Sequence, residues 1–408
     1  MSIKRRLLTS SLINAFGHFT LLLASFFSLP ILISALGTSV FGQYILLIGI
    51  PAFAGLFDLG FGNGSLYYLS KDSNNNNWQN ILGSNLFATI PMVLAAGLIA
   101  YFGIGKNLFG LMAFLVLVNQ LSDIIMILAQ SKNNYSIFNL KVIIVGLGNT
   151  LFSAFVARAT HSLESVILTQ IGFQMLLLVF AAIWVKWIGY SLRPKLNRKM
   201  ALSTLLYGFS TLGSSVAGQL QAQTSRYYLS YIFSSAATGI YGLAQSLVQK
   251  GLTLIQVTGR SFFATSANLH GESRYATIKR IYLTSIAVVV AIGACAVIAT
   301  HYIGYPIILW WLQDASLAGQ VYPVLVVLSY WFLSVSLTPL TSYIGMGIGE
   351  GKLVSIFAIS SVTLELILMF ILTPRMGLVG PAYAALISSY LHTPPFLYLL
   401  WKKISAKV

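Results

Sequence analysis

Continuous apolar runs of about twenty residues recur from one end of this chain to the other. A bilayer core about 30 Å thick is crossed by an α-helix of about 20 mainly apolar residues. Only helices and closed barrels can satisfy their backbone groups in lipid. Barrel strands alternate apolar and polar residues with a period of two, and these runs do not alternate. The runs predict twelve spans, at 9–34, 40–69, 80–102, 109–131, 138–158, 164–186, 204–231, 238–262, 279–302, 319–346, 353–372 and 379–401. With 57% apolar and only 8% charged residues among 408, the chain is far from a soluble domain, which is about 25% charged. Twelve spans leave no stretch long enough for a large soluble domain. Spans 2 and 10 are long and glycine-bearing, and span 2 carries Pro51, so both are expected to bend.

The net charge of +16 resembles that of a nucleic-acid binder, but its placement argues otherwise. With the N-terminus inside, 18 of the 24 Lys and Arg fall at inside loops and ends, and three (Lys106, Arg158 and Arg375) fall outside. The last three, Arg226, Lys250 and Arg260, lie within spans. That asymmetry obeys the positive-inside rule for an even number of spans, and both termini are expected to be cytoplasmic. No cleavable signal peptide is expected, because the run after Lys4, Arg5 and Arg6 is too long for one. Cys295 has no disulfide partner and reads as a buried small hydrophobe.

The longest basic loop, around 187–203, divides the chain into two sets of six spans. The expected organisation is an N-terminal lobe at 1–186, a basic cytoplasmic linker at 187–203 and a C-terminal lobe at 204–408. The hairpin Ser34–Leu47 (SALGTSVFGQYILL) resembles Tyr231–Ala244 (YIFSSAATGIYGLA) when Gly42-Gln43-Tyr44 is set on Gly239-Ile240-Tyr241. With six spans per half, this implies a parallel repeat related by a pseudo-two-fold axis along the membrane normal. The fold class read from sequence is therefore all-α: a polytopic membrane protein of twelve transmembrane helices in two six-helix lobes.

Ala35-Leu36-Gly37, Phe41-Gly42-Gln43-Tyr44, Asp58-Leu59-Gly60-Phe61-Gly62-Asn63-Gly64 and Tyr68 resemble the N-terminal signature of the O-antigen (Wzx-type) polysaccharide flippases. These belong to the multidrug/oligosaccharidyl-lipid/polysaccharide exporter superfamily. Thr238-Gly239-Ile240-Tyr241 and Pro374–Ala382 resemble its later turns. Two positions depart from the family pattern: Tyr67 and Ser225-Arg226 stand where members often have a basic residue and an acidic–basic pair. The resemblance implies translocation of an undecaprenyl-pyrophosphate-linked oligosaccharide, such as an O-antigen or related envelope unit, from the inner to the outer leaflet of a bacterial inner membrane. A polysaccharide polymerase complex is an implied neighbour, and nucleic acid is not an expected partner.

The residues themselves suggest where cargo would bind. Charges at bilayer depth are costly and normally face a bundle interior or a cavity. At 1.5 Å per residue, Lys250 lies about 18 Å into span 8, Glu365 about 18 Å into span 11 and Asp123 about 21 Å into span 4. His18 is at similar depth in span 1. Gln219, Gln223 and Arg226 share one face of span 7. Gln245, Gln249, Thr253 and Gln256 form a stripe on span 8, with Ser246 and Lys250 beside it. An ammonium and a guanidinium suit a pyrophosphate, and the amides suit sugar hydroxyls. The competing reading pairs Lys250 with Glu365 or Asp123 and uses the glutamines to join helices. Asp123, Glu365 and His18 are candidates for H⁺ or Na⁺ coupling; His18 also reads as a hydrogen-bonded core residue. Asp58 reads as a helix-end turn, and Trp310, Trp311 and Trp401 as interfacial belt.

No phosphate-binding loop, metal-ligand spacing or nucleophile set is present, so neither an enzyme nor a cofactor is expected. Two other functions compete. A multidrug antiporter of the same superfamily is disfavoured by a cationic cavity. A glycan polymerase or ligase would need a long outside loop, and none here reaches about 20 residues.

Overall fold

The computed structural model describes residues 3–72, 74–132, 134–209 and 212–407, and the chain is helical nearly throughout. In the N-terminal half the helices are α1 (Ile3–Ala54), α2 (Phe61–Lys71), α3 (Asn75–Gly103), α4 (Phe109–Ser131), α5 (Tyr135–Leu147), α6 (Ser153–Thr160) and α7 (Leu163–Trp187). They are followed by α8 (Arg198–Phe209), α9 (Leu212–Ile232), α10 (Ser235–Gly271), α11 (Tyr275–Leu312), α12 (Ala315–Val335), α13 (Leu337–Gly347), α14 (Gly351–Met376) and α15 (Gly380–Ser405). Among the described residues there is no strand.

Every expected span has its helix, and the boundaries are set by backbone chemistry. Within α1 the turn between spans 1 and 2 falls at Gly37, at φ 74° and ψ 163°, where a side chain would be strained. Span 2 bends, but at the Asp58-Leu59-Gly60 motif and not at Pro51, which stays inside α1. Leu59 and Gly60 are both left-handed, at φ 50° and 82°. The Asp58 carboxylate then accepts from the Gly62 N–H at 2.9 Å, so it fixes the start of α2 as a helix-end residue. Span 10 breaks between α12 and α13. Pro339 has no N–H for the Val335 carbonyl, and the Thr338 hydroxyl donates to that oxygen instead, at 2.8 Å. Span 5 runs through α5 and α6 across a π turn, Gly148–Phe152.

Among the described residues, eight helical stretches are long and apolar enough to cross a membrane. Thr20–Asp58 and Gly351–Ser405 each hold two expected spans, so the eight account for ten. Spans 7 and 8, formed by α8–α9 and α10, are not among them, because their glutamines and cations dilute the apolar content.

By contacts the chain divides into two compact units, Met1–Gln219 and Leu220–Val408. In the first, α1 packs on α5 and α6, α4 on α3 and α7, and α2 on α8. Trp78, Leu128, Leu177 and Val185 are fully buried in a core cluster of this unit. In the second, α10 packs on α12 and α13, and α15 on α12 and α14.

The expected linker 187–203 is not free chain. Its last six residues are already helical in α8, and its start is docked on α3. The buried Trp78 donates its Nε1–H to the Ser191 carbonyl at 2.8 Å. The Ser191 N–H reaches Asn75 Oδ1 at 3.0 Å, and the Lys195 N–H reaches the Gln79 carbonyl at 2.9 Å. Gly83 permits this approach, since a Cβ there would meet the Lys195 backbone. The polar run Ser70–Asn80 thus starts a helix and holds the linker.

Two expectations are corrected. Cys295 is exposed, not buried. It lies on the outward face of α11, whose Val288, Ile292 and Ile298 are exposed too, as suits a helix at the lipid boundary. Trp310 is 67% exposed and fits an interfacial position, but Trp311 is 6% exposed and belongs to the core. Consecutive helical residues point about 100° apart, so one face cannot hold both.

Candidate functional site

In the C-terminal unit, the polar faces of α9 and α10 meet. Arg226 of α9 donates its Nε–H to Gln245 Oε1 of α10 at 2.7 Å. Its Nη1 donates to Gln223 Oε1, one turn back, at 3.3 Å. The Thr238 hydroxyl donates to the Arg226 carbonyl at 3.0 Å, tying the end of α9 to the start of α10. Arg226 and Gln245 are both buried. Three of the expected residues therefore form one hydrogen-bonded group in which the guanidinium is already held by two amide oxygens. Tyr241, the repeat counterpart of Tyr44, is buried in the same hairpin, and Tyr44 is buried in its own.

Lys250 lies five residues beyond Gln245 on α10. Its Nζ is sealed from solvent and has no hydrogen-bond partner among the described residues. Gln249 precedes it, and the Gln249 backbone carbonyl accepts from the Thr253 hydroxyl at 2.8 Å. Glu365 of α14 is buried and accepts from Gln221 Nε2 at 2.7 Å. The pairing of Lys250 with Glu365 does not occur; Gln221, one step off the expected face of α9, takes that place.

In the N-terminal unit, Asp123 of α4 forms an ion pair with Lys141 of α5. Lys141 lies midway along the 13 residues of α5. Asn119 Nδ2 lies 3.5 Å from Asp123 Oδ2, and Asn119 Oδ1 accepts from Gln174 Nε2 of α7 at 3.0 Å. Gln219 is separated from Gln223 and Arg226: it lines a cavity of about 330 Å³ with Asn119, Gln120 and Asp123. Tyr67, at the position where the flippase pattern often has a base, stacks on Tyr207 with ring centroids 4.2 Å apart. The side chain of His18 lies outside the described residues. Among the described residues no group of three His, Cys, Asp or Glu could hold a metal.

Helices nearly throughout the described residues and spans of membrane length define an all-α polytopic membrane protein. The polysaccharide biosynthesis protein family model matches residues 31–315, and the chain belongs to that family. Comparison with curated protein sequences gives no match. Solved structures with the same fold include an inward-facing multidrug resistance MATE family transporter of the MOP superfamily. It has a TM-score of 0.74 at 13% identity, covering 96% of this chain and 98% of that one. The Vibrio cholerae MATE transporter VcmN in its bent form matches with a TM-score of 0.58 at 11% identity, covering 98% and 99%. A MOP superfamily transporter from Pyrococcus furiosus, whose binding pocket is described as reversed in polarity, matches with a TM-score of 0.63 at 14% identity, covering 99% and 96%. At these identities the likeness establishes the fold.

Proposed function

We propose that this protein is a Wzx-type flippase. It carries an oligosaccharide linked to undecaprenyl pyrophosphate, an O-antigen or related envelope unit, across a bacterial inner membrane by alternating access. The observation that carries this reading is the Lys250 ammonium, buried on α10 without a hydrogen-bond partner among the described residues. A lone cation at bilayer depth costs a few kcal/mol, so its retention implies an anion that visits. A pyrophosphate supplies that anion, and the family membership supplies the glycan attached to it. The termini are cytoplasmic in this reading, and a polysaccharide polymerase would take up the delivered unit.

No nucleotide-binding loop occurs in the sequence, so energy would come from an ion or substrate gradient. Glu365, buried and held by Gln221, is the stronger coupling candidate. Asp123 is already neutralised by Lys141. The likeness to multidrug transporters favours a second reading, export of small molecules. A buried ammonium repels the cationic compounds common among such drugs, which weighs against it.

The test is surface glycan restored in a flippase-deficient strain, normalised to membrane protein level. Lys250→Ala should export little and Lys250→Arg part of the parent amount, because charge persists while the compact ammonium is lost. Normal export by Lys250→Ala would remove the pyrophosphate site.

A further inference from the structure

We infer that the cavity in the N-terminal unit is a subsite for an uncharged sugar of the cargo, read by Asn119, Gln120 and Gln219 and by the Asp123 carboxylate. The inference rests on the proposal that the cargo is a glycan. Its volume of about 330 Å³ lies at the lower end of ligand pockets, about 300–1,000 Å³. Pro51 and Leu56 give the cavity an apolar side, suited to the C–H face of a pyranose. The polar side holds three amides and one carboxylate. Sugar hydroxyls donate and accept at once, and an amide does the same with its NH₂ and carbonyl, while a carboxylate accepts only.

Two further observations point to a ligand. Among the described residues, the side chains of Gln120 and Gln219 make no hydrogen bond to the protein, so their full capacity faces the cavity. Asn119 and Asp123, in contrast, are oriented in advance. Gln174 donates to Asn119, Asn119 approaches Asp123, and Lys141 closes the chain on the other carboxylate oxygen. The two free amides can adapt and the two held groups set direction. Lys141 also cancels the charge of Asp123. The cavity is polar and net neutral, which suits a neutral sugar and leaves no reward for a cation.

The experiment uses the full-length protein in lipid nanodiscs. Saturation-transfer NMR is recorded with glucose, N-acetylglucosamine and rhamnose as probes, and separately with tetraphenylphosphonium. At least one sugar should receive saturation from the parent. Gln120→Ala and Gln219→Ala remove amides without partners, so the fold is retained, and each should weaken that binding about fivefold. Tetraphenylphosphonium should show no transfer that depends on these residues until Lys141→Met frees the carboxylate. Transfer to none of the three sugars, transfer that survives both alanine variants, or phosphonium binding to the parent that Gln120→Ala abolishes would each overturn the inference. Export by Lys250→Ala is a separate readout: if that variant loses export while the sugars fail to bind, the flippase reading stands and the sugar subsite falls.

Discussion

Replacing Lys250 by Met keeps most of the apolar stem and deletes the ammonium. In α10, which runs from Ser235 to Gly271, Lys250 lies about 22 Å from one end and about 31 Å from the other. Its Nζ is buried and has no hydrogen-bond partner among the described residues. Insertion scales put a lysine at a helix centre at about 2.5–3.5 kcal/mol unfavourable. The polar side of α10 at Gln245, Ser246 and Gln249 softens that, so the substitution should stabilise the C-terminal unit by about 1.5–3 kcal/mol. For a unit of about 190 residues, each kcal/mol moves the midpoint by about 2–4 °C, and Lys250→Met should melt about 3–12 °C higher. The assay is tryptophan fluorescence on heating at a fixed rate in nanodiscs, read with and without inorganic pyrophosphate at millimolar concentration. Pyrophosphate should raise the midpoint of the parent by binding the folded state and leave that of the variant unmoved. A variant that melts lower than the parent would mean that the ammonium is compensated within the folded protein. Equal responses to pyrophosphate would refute the anion site.

Asp123→Asn leaves Lys141 without its counter-ion. The side chains are 34% and 19% exposed, so the loss should be about 1–3 kcal/mol, less than for a fully buried pair; a lowered midpoint that Asp123→Asn with Lys141→Met restores would confirm the pairing, and an unchanged midpoint would reject it. Glu365→Gln keeps an oxygen for the Gln221 N–H and should fold, with transport losing its dependence on the proton or sodium gradient; unchanged dependence removes Glu365 from coupling. Reporter fusions after Asn76, Lys195 and Gly271 should report cytoplasm, and those after Gly105, Ser162 and Ser316 the outside; a Lys195 fusion outside would reverse the orientation.

The span pattern was legible because lipid imposes it: length and apolar content alone locate a helix that must bury its own backbone. The Gly37 turn and the Asp58-Leu59-Gly60 break were visible as motifs, although Pro51 drew attention away from the second. The polar faces of α9 and α10 were visible from spacing, and the Arg226–Gln245 bond joins them. The partners of the buried charges were not visible. Lys141 sits near a helix start, where a lysine looks like loop charge, and nothing in sequence separation links it to Asp123 on another helix. Gln221 falls off the single face that the Gln219, Gln223, Arg226 spacing selects, yet it is the residue that meets Glu365. Gln219 shares that spacing but lines a cavity with Asn119, Gln120 and Asp123. A helix polar on more than one side defeats a one-face rule, and only packing assigns each side.

The two spans that fall short of membrane hydropathy carry Arg226, Lys250 and their glutamines, and the hydrogen bonds show how Arg226 is tolerated there. An unsatisfied polar group costs more in lipid than in water. Arg226 is held by Gln223 and Gln245, and Glu365 by Gln221. Each of these pairs returns to the helix some of what its polar residues cost and fixes α9 against its neighbours. Their first role is therefore to hold the site in place, with any contact to cargo coming second. Lys250 differs from Arg226 and Glu365: no bond within the described residues offsets its burial. Selection for insertion alone would replace it with an apolar residue of the same length. In the proposed anion site, that unmet burial is what sets Lys250 apart from the bonded Arg226.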